Sequence, residues 1–192
     1  MLKWGSCNFD DFKKLRDNIE KLGNQRQQFC EDCARELAAR LLSLVIPHTP
    51  VGKKETRVVR DEVGNAVKLK SGTNKGKNKK QVTYMGGTLR RGWTAKTEDE
   101  AAGGRGRSSA SAGASYAKIL PVDRIGDNYQ ITVINPVHYA SYVEFGHRTA
   151  SGKGWVKGKY MLTISEKQLR QWMSGHLEKQ LQTFLKKAFE GL

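Results

Sequence analysis

Two amphipathic stripes, one toward each end of the chain, set the terms of any fold. Phe29, Cys33, Leu37, Leu41 and Val45 lie four apart, with Ala34, Ala38 and Leu44 beside them. Leu169, Trp172, Met173, Leu177, Leu181, Phe184, Leu185 and Ala188 form the second stripe. Residues three and four apart share one face of an α-helix, so each segment has a face to bury. Pro47 and Pro50 end the first helix. The last begins near Ser165, with Glu166 in its first turn. A shorter helix precedes both. It carries Phe9, Phe12, Leu15, Ile19 and Leu22, a cap at Ser6 or Asn8, and Asp10 and Asp11 where the helix dipole favours acids. Gly23-Asn24 is expected to stop it, because both residues tolerate a left-handed backbone.

Between the stripes the pattern changes twice. From Val51 to Gly87, ten Lys or Arg residues face only Glu55, Asp61 and Glu62. Val58-Val59 and Val63 to Leu69 suit a small hairpin around Gly64-Asn65. Lys70 to Lys80 has too little to bury and, taken alone, reads as disordered. A second polar stretch, Ala101 to Ser115, reads as a flexible loop. Strands are expected at Ala117 to Val122 and Tyr129 to Asn135, joined by a turn at Gly126-Asp127-Asn128. The resulting expectation is an α+β fold: N-terminal helices and a C-terminal helix packed on an antiparallel β-sheet. It forms one domain over residues 1–192, with a basic insertion at 52–86 and a loop at 101–115.

With 192 residues the chain can bury a sizeable core, about 70% of its unfolded surface. Its longest apolar run, Leu41 to Ile46, is broken by Ser43 and ends at Pro47, far short of the roughly 20 residues of a membrane span. Met1 to Gly5 lacks an apolar signal core. Synthesis and function are therefore expected in a cytoplasm or in a particle built there. The net charge of +15 favours polyanionic partners, either nucleic acid or acidic protein.

Catalytic and metal constellations are incomplete. Cys30-x-x-Cys33 falls inside a helical stripe, where packing is the natural role, and zinc wants four ligands in a closed site. Cys7 makes the cysteine count odd, which argues against a disulfide framework. His48, His138, His147 and His176 are scattered. His147 stands near Glu144, but no nucleophile or metal set completes an acid–base site. Gly86-Gly87 is not followed by the Gly-Lys-Ser/Thr of a phosphate loop. No enzyme, cofactor or metal is expected.

Several segments, in order, resemble a known family. His48-Thr49-Pro50-Val51-Gly52 follows a long helix, and Gly87-Thr88-Leu89-Arg90-Arg91-Gly92-Trp93 follows the insertion. Val133 to Thr149 contains Asn135-Pro136-Val137-His138-Tyr139-Ala140-Ser141-Tyr142-Val143-Glu144-Phe145-Gly146-His147-Arg148-Thr149. Gly154-Trp155-Val156 and Tyr160-Met161-Leu162-Thr163-Ile164-Ser165 lead into the final helix. Together they are similar to the bacteriophage tail-completion, or head–tail joining, family, in the extended form of contractile-tailed phages and defective prophages. Its usual Thr-Pro-Val-Asp-Thr-Gly-x-Leu run is here split between Gly52 and Gly87.

The resemblance implies a structural virion protein of the phage neck, assembled in the host cytoplasm, that joins tail to head. It implies a homo-oligomeric ring, commonly a hexamer, between connector or adaptor proteins and tail-tube or terminator proteins, with DNA passing through the lumen. A tail-terminator ring capping the tube is the near alternative. A basic nucleic-acid-binding protein is the alternative from another class.

The residues themselves suggest two contact surfaces. Tyr139, Tyr142, Glu144, Phe145, Arg148, Arg90, Arg91 and Trp93 are candidate subunit-interface residues, since aromatics and Arg concentrate at interface hot spots. The competing reading puts the aromatics in the core and pairs Glu144 with Arg148 or a backbone amide. Arg90 and Arg91 also suit a phosphate. Lys53, Lys54, Arg57, Arg60, Lys75, Lys77, Lys79 and Lys80 are candidate docking residues for an acidic partner. Protein is preferred over DNA for that partner, because a ring lumen lined with lysines would hold phosphates tightly.

Overall fold

The computed structural model describes residues 10–53, 55–84 and 86–189. The Ser6 or Asn8 cap and Phe9 lie outside them. Helix α1 spans Asp10–His48 and α6 spans Met161–Phe189. They pack antiparallel, as a ladder of contacts shows. His48 Nδ1 lies 2.9 Å from Ser165 Oγ. The Arg40 guanidinium lies 5.4 Å from the Trp172 ring centre, and Glu36 lies 2.7 Å from His176. Phe29 stacks on Phe184 with ring centres 4.4 Å apart.

The expected stop at Gly23-Asn24 is absent, and α1 runs straight through. Glu20-Lys21-Leu22 and Gln25-Arg26-Gln27-Gln28 flank the pair with strong helix formers. One glycine costs about 1 kcal/mol relative to Ala, whereas a break there would orphan eight backbone groups. Gln27–Glu31 and Gln28–Asp32 side-chain bonds, at 3.0 and 2.8 Å, support the continuing helix. Pro47 sits in the last turn rather than beyond it.

The α+β mixture is as expected, with the strands in three separate two-stranded antiparallel sheets. Strand β1 (Glu55–Val58) pairs with β2 (Lys80–Tyr84), β3 (Asp123–Ile125) with β4 (Asn128–Gln130), and β5 (Gly146–Arg148) with β6 (Trp155–Lys157). Four short helices complete the order: α2 (Thr88–Gly92), α3 (Glu98–Ala102), α4 (Ala110–Ala117) and α5 (Ala140–Phe145).

Ala101 to Ser115, read from sequence as a loop, thus contains the end of α3 and most of α4. Thr97 caps α3 by accepting from the Glu100 amide, and Ser109 caps α4 by accepting from the Ala112 amide. Small residues make α4 useful. A Cβ on Gly113 would meet Ile46 Cδ1 at 2.6 Å and Leu42 Cβ at 3.0 Å, so this helix lies against α1 backbone to backbone. The strand expected at Ala117 to Val122 begins only at Asp123, because Ala117 closes α4.

Tyr129 to Asn135 keeps its alternation, yet only its first two residues pair. Ile131 and Val133 pack on the core while Ile134 is 67% exposed. The period of two therefore reports one-sided burial against helices, not a longer ladder. The core itself is Leu42, Val45 and Ile46 of α1 with Leu89, Trp93, Ala101, Ala117, Val137 and Met161.

The insertion folds on its own backbone. Beyond the β1–β2 stem, three amides close a ring: Val59 N donates to Lys79 O (2.8 Å), Lys79 N to Val67 O (2.6 Å), and Val67 N to Val59 O (2.9 Å). Two hairpins branch from this junction. One bridges Arg60 and Ala66 around Gly64-Asn65, as expected; the other bridges Lys68 and Asn78. Lys70 to Lys80, which has no core to join, is held by main-chain bonds such as Leu69 N to Lys77 O (2.9 Å). Beyond each other, β1 and β2 make at most marginal contact with other elements, and none of the described residues from 56 to 81 is fully buried, so the insertion forms an arm without a core of its own. At its root the chain crosses itself. A Cβ on Gly86 would collide with the Gly52 carbonyl, and Gly86 and Gly87 both take positive φ, 69° and 73°.

Candidate interaction surfaces

Arg90, Arg91 and Trp93 leave α2 pointing inward. Arg90 donates to the carbonyls of Thr49 (2.6 and 3.0 Å) and Pro47 (3.3 Å). These carbonyls lie at the C-terminal end of α1, where a cation is favoured. Trp93 is 4% exposed, and its indole N–H donates to Thr49 Oγ1 at 2.7 Å. That hydroxyl in turn donates to Val45 O at 2.7 Å. Arg91 donates to Ala101 O (2.7 Å) and Gly86 O (2.9 Å), tying α3 to the root of the arm. All three side chains are thus engaged within the subunit.

Glu144 is engaged in the same way. It is 5% exposed and belongs to α5. Its carboxylate accepts from Leu162 N and Thr163 N, both at 2.9 Å, and from Thr163 Oγ1 at 2.7 Å. A carboxylate placed on the free amides of a helix start satisfies donors that no carbonyl reaches and meets the positive end of the dipole. This cap is why α6 begins at Met161, four residues before the expected Ser165. Ser165 instead donates to Met161 O at 2.6 Å. Of the two partners foreseen for Glu144, the backbone amide is the one it finds.

Around the corner where α5, the β5–β6 hairpin and α6 meet, several large apolar side chains are left exposed. Tyr142, Phe145 and Trp155 are 57%, 61% and 63% exposed. Val156, Tyr160 and Ile164 are also exposed. Gly146 (φ 90°) is needed where α5 turns into β5, since a Cβ there would meet the Trp155 indole nitrogen at 2.9 Å and the β6 backbone. Tyr142 makes an edge contact with His147, ring centres 6.0 Å apart. Tyr160 is the one non-glycine residue at positive φ among those described, 51°, immediately before α6. Exposed basic residues accompany these along the chain: Arg148, Lys153, Lys157 and Lys159.

From the candidate interface, then, Tyr142, Phe145 and Arg148 remain on the surface, and Tyr139 packs partly against the core. Trp155 and Tyr160, which the sequence marked only as part of the family resemblance, join them as exposed aromatics. The available signal was Trp155 and Val156 set between Lys153 and Lys157, an apolar pair in a basic run with no stripe to join.

The docking candidates Lys53, Arg57, Arg60, Lys75, Lys77, Lys79 and Lys80 are all exposed, and all but Lys53 lie on the arm; Lys54 lies outside the described residues. Arg60 donates to Gly64 O at 2.7 Å and Lys77 to Asn74 Oδ1 at 3.0 Å. The thiols of Cys30 and Cys33 face an apolar groove with Phe29, Leu37, Tyr129 and Leu177. Burial, followed by the nearby Cys30, pushes the Cys33 thiol up from its ordinary range. Among the described residues no group of His, Cys, Asp and Glu could hold a metal ion, and no helix is long and apolar enough to cross a membrane.

Residues 13–146 match the model of the HK97-gp10-like family, described as "Bacteriophage HK97-gp10, putative tail-component". The chain belongs to this family. No curated protein and no solved structure matches it. As an HK97-gp10-like chain it is a structural bacteriophage tail component, a protein of the virion. The matched region runs from α1 through the arm to the end of α5. The β5–β6 hairpin and α6, which supply half of the apolar corner, follow it.

Proposed function

We propose that this tail component is a ring-forming subunit of the phage neck, completing the tail and joining it to the head. The observation that carries the reading is the aromatic corner built on the α5–α6 cap. An exposed apolar cluster on a rigid frame marks a contact surface, and aromatic anchors supply most of the energy at such surfaces. The basic rim of Arg148, Lys153, Lys157 and Lys159 selects the geometry. Two copies meeting corner to corner about a two-fold axis would set these charges against each other. A head-to-tail contact avoids that conflict, and a head-to-tail contact that closes makes a ring. Copies of the chain are therefore the lateral partners, a hexamer being the expected closure. Connector or adaptor proteins lie on one side, tail-tube or terminator proteins on the other, and DNA passes through the lumen.

Imaging of assembled particles with the subunit labelled tests the location. Density at the head–tail junction is expected; density confined to the tube or the distal tip rejects the neck assignment. Trp155→Ser combined with Phe145→Ser tests the interface. The variant should remain folded by circular dichroism yet fail to enter tails. Normal incorporation would reject the corner as a subunit contact.

A further inference from the structure

The aromatic corner and the arm differ in chemistry, and the difference identifies what each one touches. The second hairpin of the arm encloses a shallow concavity lined by Lys68, Lys77, Lys79 and Lys80 with Asn74 and Asn78. Leu69 and Gly76 complete it, and no acid or aromatic lines it. All four lysines are exposed. Of the arm's acids, Asp61 is committed to the Val63 and Asn65 amides at the other hairpin tip.

We infer that this cup binds the phosphate backbone of DNA, without reading its sequence. Protein interfaces are depleted in Lys at their centres and enriched in aromatics, which describes the corner and not the cup. Backbone contacts to nucleic acid come from Lys and Arg with Asn and other small polar side chains, and such interfaces are polar and strongly basic. The cup has that composition and nothing to read a base edge. It is also shaped before binding, because the three-amide junction and the Lys68–Asn78 bridge fix the hairpin through its main chain. Little ordering entropy then remains to oppose binding. The tight hold that a lysine-lined ring would have on phosphates, an objection if DNA must slide freely, becomes the expected property here: cups repeated around the proposed ring would retain a DNA segment and release it as salt rises.

The test uses the full chain and a duplex of arbitrary sequence labelled with a fluorophore, titrated by anisotropy from low to physiological salt. The arm variant replaces Lys68, Lys77, Lys79 and Lys80 with Gln. A control variant makes the same charge change at exposed Lys118, Lys179, Lys186 and Lys187. The arm variant should bind at least about tenfold more weakly at low salt. Its slope of log affinity against log salt should lose about 3 to 4, four contacts at roughly 0.9 each. The control should lose less than half as much. Equal losses in both variants would show that net charge alone attracts DNA and would overturn the site. Polyglutamate of matched charge provides the competing ligand. If it displaces the duplex at equal charge concentration, the cup takes acidic protein and the DNA assignment is wrong. A second readout needs no variant. Acylation of the Lys68, Lys77, Lys79 and Lys80 amines in the unaltered chain should slow when duplex is added, and unchanged labelling of these four would also overturn the inference.

Discussion

Glu144 shows how much one side chain can settle. Its carboxylate fixes where α6 starts, holds α5 against it and so presents Tyr142 and Phe145 to solvent. Glu144→Gln keeps the size but provides one good acceptor where three donors converge, and it removes the charge that meets the helix dipole. The expected cost is about 1–3 kcal/mol, read as a lower midpoint in urea with the slope unchanged. Glu144→Lys would place a cation on the positive end of α6 and should unfold the corner. A variant that melts like the parent would show that the cap contributes nothing. Cys33 offers a test by pH. Its thiol is raised by burial, so the folded chain keeps the proton to higher pH than the unfolded chain does. The associated stability is present below the ordinary thiol value and is lost as pH rises from there through the raised value of the folded chain. Alkylation of Cys33 in the native protein should accordingly lag behind that of the unfolded chain, and the lag should shrink as pH rises toward the shifted value. Equal rates at pH 8 would contradict the burial.

At the scale of elements, two glycines in helices make opposite forecasts. Gly23 sits on an open face of α1, and a Cβ added there would meet nothing within 4 Å. Gly23→Ala should stabilise the chain by up to about 1 kcal/mol, the propensity difference in a helix interior. Gly113 lies in the α1–α4 contact, where a methyl group would press on Leu42 and Ile46. Gly113→Ala should cost about 1–3 kcal/mol, as overpacking does. Thermal melts of both variants check the pair, and a stabilising Gly113→Ala would mean that α4 can move aside. The two positions also show what sequence patterning conveys. Gly23-Asn24 looks like a stop and is not one, while the Gly/Ser/Ala stretch around Gly113 looks like a loop and is largely helical. Each glycine invites a break when read along the chain, and the neighbour across the packing interface is what differs.

For the whole molecule, the division into a body, an aromatic corner and a basic arm is the property with functional weight. The insertion that forms the arm carries ten basic residues against three acids, and none of its described residues from 56 to 81 is fully buried. Deleting Lys68 to Asn78 with a short Gly linker should therefore leave the melting midpoint of the body within a degree or two, since no core residue is removed. The same deletion should reduce assembly into particles. A large fall in the midpoint would show that the arm supports the core.

The sequence by itself determined the two apolar helical stripes, though not that the first helix runs unbroken from Asp10 to His48, together with the Gly64-Asn65 hairpin and the phage tail family. Those features rest on short-range periodicity, turn chemistry and ordered motifs, all of which are written along the chain. It also exposed the arm as a basic insertion, because charge is additive and needs no coordinates. Tertiary structure alone decided where Arg90, Arg91, Trp93 and Glu144 point. Each is a residue type equally suited to an interface or to an internal bond, and the choice depends on partners 10 to 44 positions away, such as Thr49 for Arg90 and Trp93, Ala101 for Arg91, and Leu162 and Thr163 for Glu144. It likewise decided that the alternation from Tyr129 to Asn135 serves burial against helices, because a period of two records which side is covered and not what covers it.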